Sequence, residues 1–268
     1  MYLCRYTPFL NSIYENVYYV KALTDKKAFS LKHGQILRYR NKGQVAMEIK
    51  GIKKRYGKKQ VLNDITFSAK EGECIGIIGG NGCGKSTLLN ILAGVLSCDE
   101  GSFTYMGNEL LGNTKLRSTI VGYVPQNTPL FEELSAMDNL RLWYTKAEIR
   151  RELSDGALKM LGIDSFIKTT VSKMSGGMKK RLAIGCSVAK KPKVLLLDEP
   201  SAALDLVCKE SIYKYISEYK ACGGTVIIAT HDIMEFSLCD KLYILGGGTI
   251  MPYTYDGDNQ RLITELVK

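Results

Sequence analysis

The chain has 268 residues, of which 45% are hydrophobic and 24% charged, so it is long enough to bury a sizeable core and is not expected to be disordered. Its net charge of +10 would suit nucleic acid or an anionic membrane surface, but no nucleic-acid-binding motif accompanies the charge. No apolar run approaches the roughly 18 residues that would cross a bilayer, and the N-terminus lacks the features of a secretory signal, so the sequence predicts a soluble, unexported chain.

Residues 1–46 differ from the rest of the chain in charge and in hydrophobic pattern. They carry eight Lys and Arg residues against two acids, and they show no regular pattern apart from a short helix predicted over 11–23. Met47 is also a candidate start codon. We therefore predict a basic N-terminal extension over 1–46, either native or an upstream artefact, followed by one folded domain over 47–268.

From residue 47 onwards, predicted strands and helices alternate. The strands are short and mostly apolar, and they cover 47–52, 65–69, 73–79, 102–106, 119–124, 193–198, 225–230 and 241–245. The helices cover 85–93, 136–161, 176–189, 205–221 and 232–239. Gly156 is a weak point inside the second of these helices. Alternation with fully apolar strands indicates an α/β domain whose central sheet is largely parallel.

The cysteines and histidines do not predict a zinc site. Eight cysteines are scattered without a CxxC spacing, and the two histidines, His33 and His231, lie far apart in the sequence. Single cysteines in a chain without an export signal fit a reducing compartment.

A phosphate-binding loop follows the strand predicted over 73–79. Residues 79–86 read GGNGCGKS and match the pattern G-x-x-x-x-G-K-[ST]. Glycines let the backbone curl around an anion, and the helix that follows directs its N-terminal dipole at the same point. Lys85 would place its charge on the β- and γ-phosphates, and Ser86 would offer a hydroxyl to Mg²⁺. The residues expected to hold ATP are Gly79, Gly80, Asn81, Gly82, Cys83, Gly84, Lys85, Ser86 and Thr87.

Two acids end the strand predicted over 193–198. The four apolar residues at 194–197 place this strand in the centre of the sheet, so that its carboxyl end lies beside the phosphate loop. Asp198 is therefore expected to hold Mg²⁺, and Glu199 is expected to polarise the water that attacks ATP.

These motifs, in this order, resemble the nucleotide-binding domain of ABC transporters over residues 47–245. Further segments match that family in sequence order: KRYGKKQVLNDITF with Tyr56, GYVPQ with Gln126, MSGGM with Ser175, Gly176 and Gly177, SAALD at 201–205, and His231 after TVIIAT. The resemblance implies that Tyr56 stacks on adenine, that Gln126 senses Mg²⁺ and contacts a membrane partner, and that His231 contacts the γ-phosphate. It also implies that residues 175–177 reach the γ-phosphate held by a second subunit.

The fold implied by the resemblance is a P-loop NTPase of ABC type, with a largely parallel central sheet, an antiparallel β subdomain and a helical subdomain over about 127–190. The segment MSGGM departs from the family's LSGGQ at Met174 and Met178. The first exchange is close to isosteric. The second removes an amide side chain but leaves the serine and the backbone N–H groups. A signature of this form is similar to those of exporters with short, separate permeases.

The function implied is an ATP-hydrolysing subunit that powers a membrane transporter, with a lean towards export, through ATP-driven dimer closure. Glu199, His231, Lys85 and Gln126 would be catalytic, and Ser86, Gln126 and Asp198 would hold Mg²⁺. The partners implied are an integral membrane permease on a separate chain and a second ATPase subunit in a homodimer, with no nucleic acid. The expected location is peripheral, on the cytoplasmic face of the membrane.

Two other functions compete with this interpretation. A soluble ABC ATPase acting on ribosomes or DNA is disfavoured because the chain has one phosphate loop and no long coiled coil between Gln126 and Ser175. A nucleotide-gated interaction subunit without turnover is disfavoured because Glu199 and His231 are both present.

Overall fold

The structure of the protein is a computed structural model that describes residues 45–267. The helix predicted over 11–23 lies outside the described residues. The boundary predicted between residues 46 and 47 stays a prediction, and the first described strand begins at Val45.

Ten strands and eight α-helices are present in the described part of the chain. The strands are β1 Val45–Tyr56, β2 Lys59–Lys70, β3 Cys74–Ile78, β4 Glu100–Tyr105, β5 Asn108–Glu109, β6 Val121–Val124, β7 Val194–Asp198, β8 Thr225–Thr230, β9 Lys241–Gly246 and β10 Thr249–Tyr253. The α-helices are α1 Lys85–Ala93, α2 Thr114–Ile120, α3 Ala136–Arg141, α4 Lys146–Asp155, α5 Ala157–Met160, α6 Gly176–Ser187, α7 Leu206–Ala221 and α8 Asn259–Val267.

The first sheet is antiparallel and has the strand order β2-β1-β4-β5. The hairpin of β1 and β2 extends beyond the strands predicted over 47–52 and 65–69, because Tyr56 pairs with Lys59 across a tight turn at Gly57. Most of the added residues on either side of this turn are polar, and only Leu62 and Lys54 among them are buried, so backbone pairing extends the hairpin where the sequence shows no regular apolar alternation.

The second sheet has the strand order β10-β9-β3-β8-β7-β6 and is parallel from β9 to β6. Strands β3, β7 and β8 are buried along their whole length. Along β7, Leu195 and Leu197 pack into one apolar cluster while Val194 and Leu196 pack into another. The sheet is thus covered on both faces, which confirms the predicted α/β class and central parallel sheet.

The helix predicted over 136–161 is wrong in its continuity, because the structure breaks this stretch into α3, α4 and α5. Thr145 forms a capping box with Glu148, which starts a new helix after α3. Gly156 takes an extended conformation between α4 and α5, and Glu152 accepts a hydrogen bond from the N–H of Ala157 at 3.0 Å. Local capping therefore overrides the continuous helical pattern.

Other predicted elements also differ from the structure in their bounds, type or order. The strand predicted over 119–124 begins at Val121, because α2 continues to Ile120 after its cap at Asn113. The short helix predicted over 232–239 is a 3-10 helix, Ile233–Leu238. The strand predicted over 241–245 is not the last element, since β10 and α8 follow it. Of the helices described, none combines the length and the apolar character needed to cross a membrane. The limits of the helical subdomain predicted over 127–190 stay a prediction.

Candidate active site

The carboxyl ends of three neighbouring parallel strands bring the predicted catalytic motifs together. Ile78 at the end of β3 pairs with Thr230 of β8, and Asp198 at the end of β7 pairs with Ala229 of the same strand. The phosphate loop, the two acids and His231 each follow one of these strands. They therefore meet at one edge of the sheet, as expected for ligand sites in open α/β folds.

The phosphate loop depends on glycine at two positions. Gly84 has a φ of 115°, which favours glycine, and a Cβ there would lie 2.9 Å from Leu62 Cδ2. A Cβ at Gly79 would lie 2.6 Å from the carbonyl oxygen of Leu245. The loop is therefore confined between β2 and β9, and it leads directly into α1.

The side chain of Lys85 packs against the phosphate loop. The side chain is 6% exposed, and its Nζ donates hydrogen bonds to the carbonyl oxygens of Gly79 at 2.7 Å and Gly80 at 3.1 Å. Two features make this point strongly attractive to phosphate. One is the buried ammonium group of Lys85, and the other is the N-terminus of α1. The loop geometry agrees with the predicted role in ATP binding.

Asp198 lies beside Ser86 at the start of α1. The carboxyl is 2% exposed, and burial raises its pKa, while a hydrogen bond from the Ser86 side chain and the charge of Lys85 act in the opposite direction. A carboxylate and a hydroxyl in contact are hard oxygen donors of the kind Mg²⁺ prefers. These two residues therefore fit an Mg²⁺ ion.

Glu199 is the centre of a cluster of three side chains that come from three separate motifs. Gln126 Nε2 donates a hydrogen bond to Glu199 Oε2 at 2.8 Å, and His231 Nδ1 lies 3.0 Å from Glu199 Oε1. The backbone of Glu199 has a φ of 48°, and its N–H donates to the carbonyl of Ala229 at 2.9 Å. A positive φ in a residue other than glycine costs free energy and is typical of functional sites.

Lys180 supports this cluster, although the sequence motifs described above do not include it. Its side chain is 6% exposed, and its Nζ donates to the carbonyl oxygens of Pro125 at 3.3 Å and Gln126 at 3.1 Å. Burial lowers the pKa of Lys180. The available signal was its spacing from Gly177 and Ile184, which places a lysine on the buried face of α6.

Tyr56 and the residues at 175–177 make local contacts in the chain. Tyr56 is 49% exposed at the turn after β1, with Lys54 Nζ at 5.7 Å from the ring centroid. Ser175 is exposed, and its hydroxyl caps its own helix by accepting a hydrogen bond from the N–H of Met178 at 3.3 Å. Gly176 is exposed and Gly177 is buried. The structure thus brings together Lys85, Ser86, Asp198, Glu199, Gln126 and His231, while Ser175 and Gly176 face solvent.

Comparison with known proteins gives one consistent result. The family profile described as ABC transporter matches residues 62–202. The linearmycin resistance ATP-binding protein LnrL of Bacillus subtilis is 31% identical in an alignment 244 residues long that covers 82% of this chain and 78% of that protein. The lantibiotic transport ATP-binding protein SrtF of Streptococcus pyogenes is 34% identical over 213 residues, which are 79% of this chain and 92% of that protein. The Nod factor export ATP-binding protein I of Sinorhizobium fredii is 33% identical over 214 residues, 78% of this chain and 62% of that protein.

Solved structures agree with these relatives. An ATP-binding subunit of an ABC transporter superposes with a TM-score of 0.74 at 28% identity, covering 83% of this chain and all of that one. A dimeric, post-hydrolysis state of the ATP-binding cassette MJ0796, bound to ADP and phosphate, superposes with a TM-score of 0.70 at 28% identity, covering 79% of this chain and all of that one. Sequence, fold and site geometry therefore agree, and the chain belongs to the ABC transporter family as one of its ATP-binding, ATP-hydrolysing subunits.

Proposed function

We propose that the chain powers a membrane exporter by closing a dimer around two ATP molecules. The observation that carries this proposal is the cluster of Gln126, Glu199 and His231 beside the phosphate loop. A carboxylate at that place can act as a base towards water, and it is held by two neighbouring side chains. Binding without turnover would need no such base.

Each side chain at the edge of the sheet has a separate role in the proposed reaction. The phosphate loop and Lys85 hold the β- and γ-phosphates, and Tyr56 stacks on adenine. Glu199 accepts the proton of the attacking water, while His231 contacts the γ-phosphate and holds the carboxylate in position. Because phosphoryl transfer to water requires little covalent chemistry from the protein, positioning and charge supply the catalysis.

An Mg²⁺ ion would be held by Ser86 and Asp198, with Gln126 sensing it from the side of Glu199. When bound, it would neutralise charge on the phosphates. The contact between Ser86 and Asp198 supports this assignment, because both side chains supply oxygen atoms at the start of the phosphate-binding helix.

A second copy of the chain would complete each ATP site. Ser175 and Gly176 are exposed at the N-terminus of α6, where a serine and free backbone N–H groups suit a phosphate from outside the chain. We infer that residues 175–177 of one subunit contact the γ-phosphate held by the phosphate loop of the other. ATP binding and dimer formation are then one event.

The partner in the membrane would be a permease on a separate chain, with the ATPase attached at the cytoplasmic face. The segment around α3, which follows Gln126 in the sequence, exposes the apolar side chains of Phe131, Leu142 and Trp143. Asn139 on α3 fixes Phe131 against this helix. Its Oδ1 accepts a hydrogen bond from the N–H of Phe131 at 2.9 Å, and its Nδ2 donates one to the carbonyl oxygen of Phe131 at 3.1 Å. An exposed aromatic surface on this helical region supports docking of a protein partner. The relatives named for export and resistance support the direction of transport.

The substitution Glu199→Gln tests the proposal. The glutamine can keep both neighbours, because its oxygen can accept from Gln126 and its amide group lies where the carboxylate faced His231 Nδ1, so the change removes the base and little else. We expect the ATP hydrolysis rate to fall roughly 10²- to 10⁴-fold, the usual range for loss of a general base. ATP affinity should stay within twofold, and size-exclusion chromatography with ATP and Mg²⁺ should show a stable dimer.

The matched control is Glu132→Gln, which removes an exposed carboxylate paired with Lys179. It should hydrolyse ATP at the wild-type rate. Persistent hydrolysis by the Glu199→Gln variant, or a variant that stays monomeric with ATP, would contradict the assignment.

A further inference from the structure

We propose that Glu235 is a positioning residue for ATP hydrolysis, which fixes the loop after Glu199 against the segment that carries His231. Glu235 lies in the 3-10 helix Ile233–Leu238 and does not contact the phosphate loop through any hydrogen bond described for it. The inference rests on the catalytic roles proposed above for Glu199 and His231, and the experiment below separates the two proposals.

The carboxylate of Glu235 binds one residue of that loop twice. Its Oε1 accepts a hydrogen bond from the backbone N–H of Ser201 at 3.1 Å and a second one from the Ser201 hydroxyl. The Ser201 hydroxyl oxygen also lies 3.1 Å from the hydroxyl of Tyr213 on α7. Ser201 is fully buried and Glu235 is 1% exposed, so water does not compete for these bonds.

These bonds join the two halves of the catalytic cluster. Ser201 stands two residues after Glu199, and Glu235 stands four residues after His231. Glu199 has a positive φ, which the chain adopts only where its surroundings enforce it. On one side the N–H of Glu199 is held by Ala229, and on the other the chain is held at Ser201 by Glu235. Release of Ser201 would let Glu199 turn away from His231.

The burial of an acid at this place is unfavourable, which argues against a role in packing alone. Burial raises the pKa of Glu235, while hydrogen bonds with the side chains of Ser201 and Thr230 act in the opposite direction. An apolar side chain of similar size would avoid this penalty but could not accept from Ser201. The geometry therefore points to an acceptor that is needed for the position of the loop.

Glu235 also lines a cleft at the catalytic cluster. This cleft has a volume of about 380 Å³, and its lining includes Glu199, Ala203, His231 and Glu235. Because Ser201 immediately precedes the residues that line it, a shift of Ser201 would change the space around the attacking water.

The experiment measures steady-state ATP hydrolysis and nucleotide affinity of the full chain for Glu235→Ala and Glu235→Gln. The alanine variant loses the acceptor, and we expect kcat to fall at least tenfold while KM and nucleotide affinity stay within twofold. The glutamine variant keeps one oxygen for Ser201 and should retain at least one third of the wild-type kcat. Tyr213→Phe is the control, since it removes the other partner of the Ser201 hydroxyl and should leave kcat unchanged.

A second measurement separates positioning from a loss of folding. In the Glu199→Gln background, addition of Glu235→Ala should lower the residual rate by less than twofold, because Glu235 acts through Glu199. A further tenfold loss in that background, or a wild-type kcat for Glu235→Ala alone, would overturn the inference while the proposed function stands. If Glu199→Gln itself hydrolyses ATP normally, both proposals fail.

Should Glu235→Ala not fold, Ser201→Ala replaces it in the same comparison. This variant keeps the backbone bond to Glu235 and loses the hydroxyl bond. We expect a threefold or larger fall in kcat that again disappears in the Glu199→Gln background. An unchanged kcat would overturn the proposal.

Discussion

Two adjacent glycines, Gly176 and Gly177, allow folding and function to be separated by single methyl groups. Both begin α6, immediately after the capping Ser175. A Cβ at Gly176 would meet only Leu204 Cδ2 at 3.7 Å, which is an ordinary contact. A Cβ at Gly177 would collide with the side chain of Cys208 on α7, with 2.9 Å to its Cβ and a still closer approach to its Sγ.

The expected stabilities follow from these contacts. Replacing glycine by alanine in a helix stabilises it by up to about 1 kcal/mol, and this gain is similar for both variants. Overpacking against Cys208 costs Gly177→Ala about 1–3 kcal/mol. Since 1 kcal/mol corresponds to roughly 2–4 °C in a domain of this size, Gly177→Ala should melt roughly 2–12 °C below Gly176→Ala.

The expected activity of Gly176→Ala does not follow its stability. Gly176→Ala should fold at least as stably as the wild type but lose most of its ATP hydrolysis and its ATP-dependent dimer, because the methyl group projects from the surface that we assign to the partner's γ-phosphate. Thermal unfolding, ATPase assays and size-exclusion chromatography measure the three properties. In the double variant with Cys208→Ala, the melting temperature of Gly177→Ala should recover.

Two outcomes would refute this reasoning. Equal melting temperatures for the two alanine variants would show that Gly177 is not confined by Cys208. Full ATP hydrolysis by Gly176→Ala would show that this surface does not take part in the composite site.

Two further substitutions test the site. Lys85→Ala removes the ammonium group that bonds to the phosphate loop. Since a hydrogen bond to a charged group contributes about 1.5–3 kcal/mol, ATP affinity in a fluorescence titration should fall by roughly 10- to 150-fold. Unchanged affinity would contradict the assignment of the loop to ATP binding. Lys180→Met removes the two hydrogen bonds that Lys180 Nζ donates to the carbonyl oxygens of residues 125 and 126, so kcat should fall by about tenfold with unchanged ATP affinity. The control is Lys179→Met, which breaks only an exposed ion pair with Glu132 and should keep the wild-type kcat; equal losses from the two lysines would contradict the role of Lys180.

Short-range patterns explain which elements could be predicted from the sequence. The phosphate loop, the buried strand before Asp198 and the helix after Gly84 are each encoded within about ten residues, and the structure has them at the expected positions. The continuous helix over 136–161 failed because the cap at Thr145 and the turn at Gly156 depend on single hydrogen bonds that a hydrophobic period does not show.

The sequence by itself determined the family, the phosphate loop and the candidate catalytic residues, because backbone conformation and phosphate binding there depend on neighbours in the chain. Only the tertiary structure decided which of these residues meet. Gln126, Glu199 and His231 come from distant segments, and the parallel pairing of β7 with β6 and β8 places them in contact. The supporting roles of Lys180 and Glu235 depend on buried hydrogen bonds between segments far apart in the sequence, and no local pattern contains that information.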